Sequence, residues 1–264
     1  MREGVKGFQV YLYNCRLKLY TSIQYKADFI FGMIMTFLNA LLGPLVQYFI
    51  ITNTRGFPGW TLDEIMLFQG VVLLFLGVKN LLFGDIREIA MQIARKGDFD
   101  RYLLKPYFAI VNIWGNSFQF GSFPTIVCGI LVIIWFSVSL KLQYTLGMVV
   151  QLFLCLLFAM IFCGAMVTFL CGIVIMFIRI GRIWETFDVL LRFSNYPLNI
   201  YPRKLEWLFS TFLPLGLMAL FPVQVLLGKI RKIMLLAFAG AILLLVLSLL
   251  FWRFCIKRYT SAGG

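Results

Sequence analysis

The sequence predicts an all-α polytopic membrane protein with six transmembrane helices, and three observations carry that expectation. Of its 264 residues, 61% are hydrophobic and 13% charged, more apolar side chains than one soluble core hides from water. Several runs exceed the roughly 20 apolar residues that a helix needs to cross about 30 Å of hydrocarbon. The alternating pattern of a membrane barrel is absent throughout.

Residues 1–27 are expected to form an amphipathic N-terminal interface helix. Phe8, Leu12, Leu19 and Ile23 stand among Lys6, Arg16, Lys18 and Lys26, which suits a helix lying along the bilayer surface with its basic side chains reaching headgroups. There is no cleavable signal pattern, so the N-terminus is expected in the cytosol. The first span covers 28–51 and contains Gly43-Pro44, an expected kink. Thr61 and Glu64 then make a Thr-x-x-Glu capping box that starts the second span, which ends near Lys79 or Gly84. A charged segment, 85–106, follows. Residues 107–116 read as an interfacial entry piece, 117–140 as the third span and 145–178 as the fourth.

Two readings compete between 179 and 228. Hydropathy alone makes 206–228 the fifth span, although Pro214 and Pro222 interrupt it. The alternative makes the preceding stretch a semi-polar fifth span bearing the intramembrane charges Glu185, Asp188 and Arg192, and makes 206–228 a re-entrant element before the last helix. A charge at a helix centre costs roughly 2.5 to 3.5 kcal/mol and a leucine returns about 0.5. That span therefore needs Asp188 and Arg192, four residues apart, to pair and face protein. The proline pair favours the re-entrant version. The sixth span is 233–254.

Both readings place the two termini on one side, with about sixteen Lys and Arg against about seven opposite, which makes that side the cytosol. Lys229, Arg231 and Lys232 break the rule and are expected to meet lipid phosphates or an anionic ligand. The formal charge of +13 therefore reports topology and contact with membrane lipids rather than nucleic acid. The absence of histidine excludes the usual Cys/His zinc sites, no CxxC pair exists, and of the six cysteines Cys128, Cys155, Cys163 and Cys171 read as buried small hydrophobes. No cofactor is expected. No converging nucleophile and base marks an enzyme, and no repeat or soluble domain divides 1–264, which reads as one membrane domain.

The segment 85–106 holds the chain's most informative pattern. Ile86, Ile89, Ala90 and Ile93 share one helical face, with Arg87, Glu88, Gln92 and Arg95 around the others, and Gly97 is a stop signal after Lys96. A solvated connector, a metal-holding Asp98/Asp100 pair and a docking surface are the three readings of this pattern. In its layout, and in the run Gly97-Asp98-Phe99-Asp100 followed by Leu103 and Pro106, the chain resembles the ABC-2-type permeases of ABC exporters, specifically the branch with the G-D-F-D-x-x-L-x-x-P signature. The resemblance covers essentially the whole chain.

That resemblance implies a permease subunit in a bacterial cell membrane, exporting its cargo with a second, identical or related permease and with cytosolic ABC ATPase subunits. ATP hydrolysis belongs to those subunits, because the chain has no phosphate-cradling GxxxxGK[ST] loop. It further implies that 85–106 is a cytosolic coupling helix. Ile89 and Ile93 would seat it on the bundle, Arg95, Lys96, Asp98, Asp100 and Arg101 would offer charges to the ATPase, and Phe99 would be the interface anchor. Pro214, Phe221 and Pro222 would belong to an outer gate. The rival class is a secondary transporter or channel not driven by ATP, which usually carries midplane ionisable groups and inverted repeats.

Overall fold

The computed structural model describes residues 2–54, 56–96, 99–105, 108–177, 182–229 and 231–259, and the side chains of these except at 2–8, 95 and 96. Among the described residues the fold consists of helices and short 3-10 turns, with no strand. The first is α1 (Arg2–Ile23), followed by α2 (Lys26–Asn53), which runs without interruption through Pro44. Next come α3 (Leu62–Phe83), α4 (Ile86–Lys96), α5 (Phe99–Leu103) and α6 (Ala109–Asn116). The long helices α7 (Phe123–Ser139) and α8 (Leu146–Met176) precede three short ones, α9 (Ile183–Arg192), α10 (Arg203–Ser210) and α11 (Leu220–Leu226). The last helix is α12 (Ile233–Arg258).

Five stretches are long and apolar enough to cross a bilayer: Lys26–Asn53, Leu62–Ala94, Phe120–Ser139, Leu146–Met176 and Ile233–Arg258. The chain is thus a multi-pass membrane protein. A sixth helix both long and apolar enough to cross is not present among the described residues. Where one was expected, prolines break the chain into pieces: Pro197 and Pro202 hold extended backbone before short helices, and Pro214 separates α10 from a 3-10 turn at Leu215–Leu217. Proline has no N–H for a helix and pushes its predecessor toward extended backbone.

Local signals set the helix ends. The Thr61 hydroxyl accepts from the Glu64 backbone N–H at 3.2 Å and the Glu64 carboxylate accepts from the Thr61 N–H at 3.0 Å, the expected capping box. Thr145 caps α8 in the same way through the Met148 N–H. Gly228, in the left-handed region at φ 68°, stops α11.

Ties across the bundle define its two ends. At one end, Lys18 of α1 donates to Asp85 at 2.9 Å, the Asp85 N–H bonds the Ser117 carbonyl, and α4 packs on α6 and α8. At the other, the Ser139 hydroxyl donates to Asp63 at 2.7 Å, so α3 and α7 run antiparallel between the ends. Burial is concentrated in one contiguous cluster that joins α3, α4, α6, α8, α11 and α12. All six cysteines are free and buried within it or beside it, and burial pushes the Cys15 thiol in α1 above its ordinary range.

Candidate functional site

The predicted amphipathic helix exists as α4. Ile86, Ala90, Ile93 and Ala94 are buried and Ile89 is partly so, whereas Arg87, Glu88 and Gln92 are exposed. The Gln92 amide donates to Glu88 one turn earlier at 2.7 Å. A stripe of isoleucines spaced three and four apart gives the helix one oily face, and that face lies on α8 and α6. The helix therefore stands on the end of the bundle rather than hanging from it as a loose connector.

α5 continues this seat. Phe99 is 1% exposed, and its ring meets Trp252 of α12 edge-on at 5.9 Å and Tyr259 at 5.0 Å. The ring, expected at an interface with a partner, here lies against the chain's own core. Such edge-to-face pairs contribute about 0.5 to 1.5 kcal/mol each beyond area burial. The side chain that does point outward is Leu104, 85% exposed, flanked by exposed Arg101 and by Lys105, whose ammonium lies 5.5 Å over the Tyr102 ring. Asp100 is half-buried at the start of α5. Leu104 was missed in the sequence because leucine in an oily chain carries no signal of its own. The remaining expected members, Gly97, Asp98 and Pro106 and the side chains of Arg95 and Lys96, lie outside the described residues.

The three charges expected inside the membrane are arranged differently from the expectation. Arg87 of α4 approaches Glu185 at 3.4 Å and Asp188 at 3.8 Å, so Asp188 is paired with Arg87 and not with Arg192, which is exposed. These pairs are half-exposed, and pairs of that kind contribute little stability. They do place the start of α9 at the α4 end. Beyond α9, the Gln69 amide donates to the Asn195 carbonyl and the Trp60 indole to Asn199, both toward the opposite end of α3.

At that opposite end, Pro214, Phe221 and Pro222 are all buried. The 3-10 turn Leu215–Leu217 packs on α8 and α12 and α11 packs on α8 and α3, with Leu215, Leu217 and Met218 fully enclosed. The basic cluster that broke the charge pattern has partners here: Lys229 donates to Glu64 and Arg231 to Glu206, each at 2.8 Å. Those two carboxylates replace the lipid phosphates expected for Lys229 and Arg231. Among the described residues no group of acids or cysteines is placed to hold a metal.

The chain is thus a helical bundle with five stretches able to cross a membrane, with α4 seated at one end and the proline-broken pieces packed into the other. No curated protein and no solved structure matches the chain. The family model described as ABC-2 family transporter protein matches residues 33–263, which takes in most of α2, all of α3 to α12, and so the α4–α5 segment and the broken element alike. The chain therefore belongs to the ABC-2 transporter family.

Proposed function

We propose that the chain is the permease subunit of an ATP-driven exporter, lining the translocation path with a second permease and moved by separate cytosolic ATPase subunits that grip the α4–α5 segment. The observation that carries this reading is the seat of that segment. α4 is fixed to α8 and α6 by its isoleucine face, and Phe99 fixes α5 to α12. A push on this segment is thereby delivered to three other parts of the bundle at once, which is what rigid-body coupling requires. In this reading Phe99 is a brace, and Leu104 with Arg101 is the outward contact for a cleft on the ATPase, since a desolvated apolar anchor ringed by charge is the usual centre of such an interface.

Six crossings with both termini in the cytosol complete the reading. In support, residues 183–199 start beside Arg87 and end beside Trp60, from one end of α3 to the other. The stretch that follows leaves and returns to the same end, tied there by Glu206–Arg231 and Glu64–Lys229, as a re-entrant outer element does. The chain would act in a bacterial cell membrane, as one domain.

Co-expression with its ATPase tests the proposal. Leu104→Asp should abolish permease-stimulated ATP hydrolysis and transport while leaving the melting temperature of the purified chain unchanged, since the residue is 85% exposed. Full stimulated activity in that variant, or transport by the chain alone down an ion gradient, would overturn it in favour of a secondary transporter or channel.

A further inference from the structure

Between α6 and α12, at the α4 end, lies a cavity of about 610 Å³, within the size range of small-ligand sites. Its walls are apolar, with Phe108 and Trp114 from one side and Leu245, Leu249 and Trp252 from the other, and its only charged lining residues are Arg253 and Lys257. The order along α12 is informative. Leu245, Leu249, Arg253 and Lys257 succeed one another every four residues, so they form one stripe on one helix face. That stripe is oily for its first half and basic for its second, and it extends about 18 Å at 1.5 Å per residue, close to the roughly 15 Å hydrocarbon depth of one leaflet. Among the described residues neither Arg253 nor Lys257 has an ion-pair partner, and no acid lines the groove.

We propose that this groove binds one acidic phospholipid, with an acyl chain against Leu245, Leu249 and Trp114 and the phosphate between Arg253 and Lys257. An apolar trough that ends in two unpaired cations at the bilayer surface suits the amphiphile whose own polarity runs the same way. Trp252 both lines the groove and meets Phe99 edge-on, so a lipid seated there also touches the brace of the α4–α5 segment. The inference needs the bundle to span a bilayer but does not depend on ATPase coupling.

Native mass spectrometry of the purified full chain, incubated with equimolar phosphatidylglycerol and phosphatidylethanolamine, tests it. The wild type should retain phosphatidylglycerol about tenfold better, as two basic groups at a membrane surface imply. The Arg253→Gln/Lys257→Gln variant should retain the two lipids equally, and Leu249→Trp, which fills the trough, should lose the bound lipid altogether. Arg258→Gln, whose guanidinium instead lies over the Phe254 ring at 4.4 Å, should behave as wild type. Equal retention by the wild type, or an unchanged preference in the double variant, would overturn the proposal. So would a Leu249→Trp chain that keeps its lipid but changes its oligomeric mass, which would assign the groove to a second copy.

Discussion

The most apolar parts of α2 and of the α3–α4 stretch are equally apolar, yet 6% of the first is buried inside the chain against 61% of the second. Transfer from water drives both into an oily phase. It does not distinguish lipid from protein as the neighbour. Glycines do. A Cβ on Gly77 of α3 would lie 2.8 Å from the Ile126 backbone nitrogen of α7, and one on Gly129 of α7 would meet the backbone of Leu74, so these two helices touch main chain to main chain. Gly32 and Gly43 of α2 face open space. α3 is a member of the chain's own core, whereas α2 touches the chain along one side only, against α3 and α7, and turns most of its apolar surface outward.

The largest effect should come from closing that helix contact. Gly77→Leu forces a branched side chain against a backbone that cannot yield, at a cost of about 3 kcal/mol, and should be seen as loss of the monodisperse folded species in detergent. The matched Gly43→Leu should change the chain's own folding stability by no more than about 0.5 kcal/mol, read as a nearly unchanged melting temperature. If permease pairing weakens in that variant while the fold survives, the exposed face of α2 is where the second copy sits.

A comparable loss, about 3 kcal/mol, should follow Phe99→Ala, which empties a fully buried site between α5 and α12. Its mark would be protease sensitivity confined to the α4–α5 segment. The smallest should be Lys229→Ala, which removes one partner of a partly exposed pair and should cost about 0.5 kcal/mol, whereas Glu64→Ala also removes the capping box and should cost about 1 kcal/mol more. Comparing the two melting curves separates the cap from the ion pair.

Much of this architecture was legible in the residues. Run length gave the long helices, Thr61 and Glu64 gave the start of α3, and the spacing of Ile86, Ala90 and Ile93 gave α4. What the sequence did not carry was anything decided by distant partners. Phe99 reads as an interface anchor by its type, but Trp252 and Tyr259, more than 150 positions later, turn it inward. Lys229 and Arg231 read as unexplained charges until Glu64 and Glu206 are placed beside them. Asp188 sits four residues from Arg192, yet Arg87 across the bundle holds it instead. Periodicity encodes which face of a helix is oily, and only the packed bundle decides what that face, or a charge beside it, will meet.

The most direct measurement is site-specific crosslinking. Every native cysteine is buried, so a single cysteine at Leu104 can carry a photoreactive maleimide in the co-expressed complex, with Leu146→Cys at the other end of the bundle, 82% exposed, as its counterpart. The account predicts that the probe at 104 captures an ATP-hydrolysing subunit and the probe at 146 does not. Capture of that subunit from 146, or of no such subunit from 104, would contradict it.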